Sequence, residues 1–234
     1  MSWLSLVGDL SDLFMLTLLG AVLGLDVVSF PQAQISRPLA AATIAGFLTG
    51  NVAGGLLVGA ALELIALETL PFGASRYPEW GSAAVVGGAL FAEQAEGAAG
   101  ALTTAVLAAL ATAWVGGWSM VELRKLNARW ARVRLDRLAR GSQRTVIGLQ
   151  VAGMTADLAR GGALTLLALL VMRAVVRASV GLWAGDARLA RAVVVGVAAT
   201  VAAGAAWKIF HAIPGARWFF AGGIVAGLAL LALR

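Results

Sequence analysis

The sequence predicts an all-α fold: a polytopic integral membrane helical bundle in which some helices are broken into re-entrant half-helices. Three observations carry this. Apolar residues make up 60% of the 234 and charged residues 13%, with a mean hydropathy of +0.88. A soluble domain is closer to roughly half apolar and a quarter charged, and one of this length could not hide the surplus from water. Several apolar runs reach or approach the roughly 20 residues that cross a bilayer as a helix. The 29 glycines suit helices in lipid, which associate through small residues, and some of them interrupt the apolar runs.

Residues 13–30 form a first span with Asp26 near its end. The N-terminus carries Asp9 and Asp12, without the basic start and small-residue cleavage site of a signal peptide, so this first helix is expected to remain. Residues 38–62 hold no charge but contain Gly46, Gly50, Gly54, Gly55, Gly59 and Asn51. This pattern reads as a short helix, a break, and a second short helix continuing to residue 70. Residues 80–92 are too short for a simple span, and residues 97–120 are the cleanest span, 24 residues without a charge. Residues 122–144 differ in kind: Arg124, Lys125, Arg129, Arg132, Arg134, Arg137, Arg140 and Arg144 stand against Glu122 and Asp136. Leu123, Leu126, Trp130, Val133 and Leu138 recur every three to five positions, as in a basic amphipathic helix. The plain reading is a cytoplasmic connector obeying the positive-inside rule; a lipid or partner site is the other. Residues 145–156 and 161–183 make a second membrane block, followed by candidate helices at 192–207 and 218–233 around a turn at His211, Pro214 and Gly215. The chain therefore reads as one membrane domain in three parts: 1–121, 122–144 and 145–234.

Composition excludes several function classes. No cysteine is present and His211 is the sole histidine, so disulfides, cysteine metal sites and multi-histidine centres are ruled out. The formal charge of +6 sets topology in a membrane protein and does not point to nucleic acid. No phosphate-cradling loop, serine elbow or metal-ligand cluster occurs. The pattern is that of a solute conduit without catalytic residues, metal or cofactor.

Ionisable groups within membrane segments cost about 2.5–3.5 kcal/mol on insertion scales and need a reason to be there. Asp26, Gln32 and Arg37 lie in a polar stretch between two apolar runs; it reads equally as a site or as an interfacial loop with Asp26 and Arg37 paired. Glu63 lies in an apolar helical stretch just after the glycine break. Irregular backbone at membrane depth is tolerated where it lines a cavity, which is how transporters build substrate sites, so Glu63 is read as functional, with a partnership to Arg37 as the structural alternative. A loop at residues 70–78, rich in Pro and Gly, joins the broken segments. Asp157 and Arg160, three apart, would neutralise each other on one helix face. Lys208 and His211, near a helix end, read as snorkelling groups.

The run Ile35-Ser36-Arg37-Pro38-Leu39, then Ala45-Gly46-Phe47-Leu48-Thr49-Gly50-Asn51, then Gly54 to Leu64 with Glu63 inside it, followed by Pro71, Gly73 and Pro78, resembles the membrane subunit IIC of the mannose/fructose/sorbose class of the bacterial phosphotransferase system. Asp26 and Gln32 fall where many members place an acidic residue and a glutamine. Asn51 stands where an Asp is usual, and Trp80 where a smaller residue is usual. The motifs span about a quarter of the chain.

The resemblance implies a multi-pass protein of the bacterial inner membrane that binds a hexose-type sugar near the midplane; on residue chemistry, Glu63 is expected to be the central substrate contact, with Asp26, Gln32 and Arg37 in the same site. It implies a membrane partner IID, cytosolic subunits IIA and IIB that carry the phosphoryl group, and a homo-oligomer. Two other readings stand beside it: a structural or regulatory membrane partner that keeps the fold without transport, and an unrelated small-solute transporter.

Overall fold

A computed structural model describes residues 3–29, 31–69, 76–94, 98–183, 185–211 and 213–233. The described residues form helices and turns without strands: α1 (Trp3–Val28), α2 (Pro38–Leu48), α3 (Val52–Ala66), α4 (Trp80–Ala92), α5 (Ala101–Val133), α6 (Leu135–Ala139), α7 (Gln143–Val180), α8 (Ala187–Phe210) and α9 (Ala216–Ala232). Four segments are long and apolar enough to cross a membrane: Leu10–Val27, Ala101–Val133, Gln143–Val180 and Ala187–Lys208. The chain is an all-helical, multi-pass membrane protein, as its composition predicts.

The three short helices α2, α3 and α4 form the centre. α2 and α3 are the broken pair expected from the glycines, and local chemistry explains the break. Gly50 adopts φ +79°; its N–H reaches the Phe47 carbonyl at 3.2 Å and the Asn51 N–H reaches the Gly46 carbonyl at 2.7 Å. This closes α2 in the manner of a Schellman end, which favours glycine at the left-handed position. Asn51 then caps α3, its Oδ1 accepting the Gly54 N–H at 2.8 Å. Asn and Asp cap about equally well, so Asn51 performs the capping an Asp would. The two half-helices return antiparallel at close range: a methyl group on Gly55 would meet the Ala42 carbonyl oxygen at 2.3 Å.

α4 runs beside α2, and α1 packs against α7, with Gly20 against Thr165 and Gly24 against Gly161. Leu16, Leu23, Leu62, Leu90, Leu102 and Leu169 are among the fully buried side chains at the heart of this packing. Trp80, the bulky departure from the family pattern, has room: half-buried at the start of α4, its Nε1–H donates to Thr69 Oγ1 at 3.2 Å and so ties α4 to the end of α3.

Two expectations need correction. The basic segment 122–144 is not an independent amphipathic helix. α5 continues unbroken through Val133, α6 turns, and α7 begins at Gln143. Leu, Arg, Lys, Glu and Ala are all strong helix formers, so nothing stops α5 where its apolar stretch ends. Likewise residues 145–183 do not form two segments. α7 is one helix of 38 residues, with the Asp157–Arg160 pair inside it. The loop at residues 70–78 lies outside the described residues for 70–75.

Candidate functional site

The charged residues singled out in the sequence converge on the junction between α1, α2 and α3. Arg37 precedes Pro38 at the start of α2, where proline at the first helical positions is preorganised and loses no needed N–H. Glu63 lies on the last turn of α3, which returns antiparallel beside α2. Its carboxylate pairs with the Arg37 guanidinium through Oε1, and Oε2 accepts the Leu39 N–H at 3.2 Å. The side chains remain 41% (Arg37) and 21% (Glu63) exposed.

Asp26 organises the approach to this pair. It is 2% exposed, and its two carboxylate oxygens accept the Ala33 N–H at 2.6 Å and the Ser36 N–H at 2.9 Å. The loop between α1 and α2 is thus pinned to the end of α1 by a charged acceptor, a stronger arrangement than neutral hydrogen bonds provide. Gln32 and Gln34 in that loop adopt φ of +57° and +64°, a conformation costing a non-glycine residue roughly 1–2 kcal/mol. Gln32 is exposed on this loop. Of the four predicted residues, Arg37 and Glu63 touch, Asp26 holds the loop that carries Arg37, and Gln32 sits on that loop.

A second polar centre is buried among α1, α4, α5 and α7. Asp157 accepts from Arg160 Nε at 2.9 Å and from Ser29 Oγ at 2.9 Å, and Arg160 Nη1 reaches Ser119 Oγ at 3.3 Å. Arg160 Nη2 also lies 2.9 Å from Asp157 Oδ1 but is poorly aligned, so it is buried without a hydrogen-bond acceptor among the described residues. Glu79, fully buried, caps α4 by accepting the Ser82 N–H at 3.2 Å, and the charge of Arg160 acts on it. Gly81 and Gly116 leave the space: a methyl group on Gly116 would meet Glu79 Cβ at 2.7 Å. Sequence reasoning found the Asp157–Arg160 pair but not Glu79, since a glutamate ahead of an apolar helix has no distinctive spacing.

Two further ion pairs lie at the periphery. Glu93 at the end of α4 binds Arg173 of α7 at 2.6 Å, and Glu68 binds Lys208. The reading of Lys208 as a snorkelling group is thus extended by a partner. Among the described residues no group of three or more histidines, cysteines or acidic residues is placed to hold a metal.

Two cavities flank the bundle. One of about 570 Å³ lies at the α2–α3 turn, bounded by Asn51, Gly54, Gln94, Ala101, Asp186 and Arg191. The other, of about 550 Å³, lies between α5 and α7, with Ser29, Asn127, Trp130, Gln150 and Asp157 in its wall.

A comparison with known families settles the class. The family model described as PTS system sorbose-specific IIC component matches residues 10–206. The chain belongs to this IIC family. IIC components are membrane subunits of phosphotransferase-system sugar permeases, which work with IID, IIA and IIB subunits, the phosphoryl transfer being done by IIA and IIB. A solved structure described as "Structure of membrane protein" superposes with a TM-score of 0.71 over 95% of this chain and 90% of that one, at 18% identity. It supports the fold. A search of curated proteins gave no match.

Proposed function

We propose that this IIC chain binds a hexose-type sugar near the membrane midplane, with Glu63, Arg37, Gln32 and Asp26 as its site, and delivers it for phosphorylation by partner subunits in a bacterial inner membrane. The observation that carries this reading is the partly exposed Arg37–Glu63 pair at the open ends of two half-helices. The α2–α3 turn shares a cavity with Ala101 at the start of α5 and with Asp186 at the start of α8, which sets that turn level with one end of the long spans. An 11-residue helix descends about 16 Å from there, roughly half the 30 Å hydrocarbon thickness.

The chemistry suits a sugar. A carboxylate offers about four acceptor sites; Arg37 and the Leu39 N–H occupy two, leaving acceptors for hydroxyls. Arg37 supplies donors beside the Glu63 acceptors, and the Gln32 amide adds donor and acceptor on the same loop. Asp26, with its carboxylate already accepting two backbone N–H groups, positions the loop. The competing reading is a purely structural ion pair in a subunit that no longer transports; the direct contact between the two side chains is what favours it.

Uptake of radiolabelled sorbose, fructose and mannose by cells expressing the chain with its IIA, IIB and IID subunits tests the proposal. Glu63→Gln keeps the shape and removes the charge. If the site is correct, this variant inserts at wild-type levels and loses uptake. Unchanged expression with unchanged uptake would refute the assignment.

A further inference from the structure

α5 has 33 residues and α7 has 38, about 50 and 57 Å at 1.5 Å per residue. The hydrocarbon core is about 30 Å thick, and a typical tilt of about 20° absorbs little of the excess. The surplus of both helices lies at the same end, because α6 joins them there. The apolar stretch of α5 ends at Val121, and residues 143–156 of α7 run on beyond the Ser29–Asp157 contact that marks the end of α1. The two helix ends therefore stand as a stalk roughly 20 Å clear of the membrane core.

The stalk holds the chain's entire charge imbalance. Residues 122–144 carry eight basic and two acidic residues, 8 − 2 = +6, and the whole chain is +6. Elsewhere Arg76, Arg177, Arg188, Arg191 and Arg217 stand scattered over other elements without a carboxylate partner among the described residues, while Arg37, Arg160, Arg173 and Lys208 each meet a carboxylate. On the stalk Lys125 does, with Glu122, whereas Arg129, Arg132, Arg134, Arg137, Arg140 and Arg144 have no carboxylate partner among the described residues. Aliphatic groups stand exposed among them: Val133 at 84%, with Val146, Ile147 and Val151 each more than half exposed. Trp130, Arg134, Arg137 and Arg144 line a cleft of about 430 Å³ where α5, α6 and α7 meet. The positive-inside rule accounts for the sign of the charge, but not for the length of the stalk or its bare aliphatic groups.

We propose that this stalk is the docking surface for an acidic soluble protein domain, one whose Asp- and Glu-rich face meets the unpaired arginines and whose apolar anchor enters the cleft beside Trp130. Charge complementarity selects the occupant. Lipid headgroups are too distant: Arg134, Arg137 and Arg144 lie about 20 Å beyond the apolar stretch of α5, and the surface potential of the membrane decays over roughly 8–10 Å. The inference rests on the permease reading above, in which the occupant is the sugar-phosphorylating IIB subunit.

The full chain in nanodiscs, titrated with its purified IIB subunit, tests this. Raising salt from roughly 50 to 500 mM should weaken wild-type binding about tenfold or more. R134E/R137E/R144E should weaken it by roughly 30-fold or more, while labelled-sugar binding in the same nanodiscs is retained. V146S/I147S leaves charge and topology intact and should weaken binding several-fold. Wild-type sugar binding combined with undiminished IIB binding by both variants would overturn the docking surface and leave the transport reading standing. So would sugar binding by a wild-type chain that takes up phosphatidylglycerol vesicles but not IIB. Absence of sugar binding by the wild type would count against the transport reading instead.

Discussion

The glycines of α2, α3 and α4 are closed, and those of α8 and α9 are open. A methyl group on Gly55 would lie 2.3 Å from the Ala42 carbonyl oxygen, and one on Gly88 would lie 2.7 Å from the same atom. On Gly196, Gly204, Gly222 or Gly223 it would meet nothing within 4 Å. Composition treats all 29 alike, yet the first group sets the spacing of the half-helices that carry Arg37 and Glu63. The second lies on helices that bury almost nothing: Ala198 and Ala205 are buried on α8, and no residue of α9 is. Small residues on a helix face in lipid suit close approach by another helix. The N-terminal block is thus packed within the subunit, while α8 and α9 offer faces to IID or to a second copy in the proposed assembly.

The strongest test of this contrast is a matched pair of substitutions. Gly55→Val should cost about 3 kcal/mol or more, since rigid backbone blocks the new side chain, and the variant should fail to give a monodisperse folded peak. Gly223→Val should leave the thermal unfolding of the isolated subunit within about 0.5 kcal/mol of wild type, as surface changes do, and act only on assembly. Equal destabilisation of the isolated subunit by both would break the comparison.

The ion pairs sharpen it. Arg160 and Asp157 are 9% and 3% exposed as side chains, whereas Lys208 and Glu68 are 69% and 36% exposed. Asp157→Ala leaves a buried unpaired guanidinium and should destabilise by about 3–5 kcal/mol. Lys208→Met should cost less than about 1 kcal/mol. Unfolding in detergent followed by tryptophan fluorescence reads both. Asp26→Asn comes next: the loop loses a charged acceptor for two N–H groups, at about 1–3 kcal/mol. It should raise the KM for sugar more than it lowers expression. The smallest effect is expected from Gln34→Gly. Glycine accepts φ +64° freely but loses more entropy on folding, so stability should change by less than about 1 kcal/mol and uptake should persist.

Much of this was legible in the residues. The α4 bounds follow from an apolar run without charge, and the α2–α3 break from Gly50 and Asn51, whose turn chemistry is local. What could not be read depends on contacts between distant elements. The Asp157–Arg160 pair was legible from its spacing, but its burial against Ser29 and Ser119 of other elements was not. Asp26 stood out as a charge in a polar stretch, but its hold on the N–H groups of Ala33 and Ser36 depends on a loop conformation that spacing does not show. Glu79 gives no local signal, because its burial is created by Gly81 and Gly116, the latter 37 positions away. The stalk was visible as charge, but not as length, since residue chemistry does not say where α5 stops.

The central claim is that the Arg37–Glu63 pair holds sugar as well as holding α2 against α3. A charge swap separates the two roles. R37E/E63R keeps an ion pair between the same positions, so a structural bridge survives in reversed polarity, whereas the acceptor and donor groups presented to a sugar exchange places. Uptake by the double variant, normalised to the amount inserted, is the measurement. Normal insertion with uptake at background is the expected result; normal insertion with uptake restored to the wild-type rate would contradict the claim and leave the pair a structural clamp.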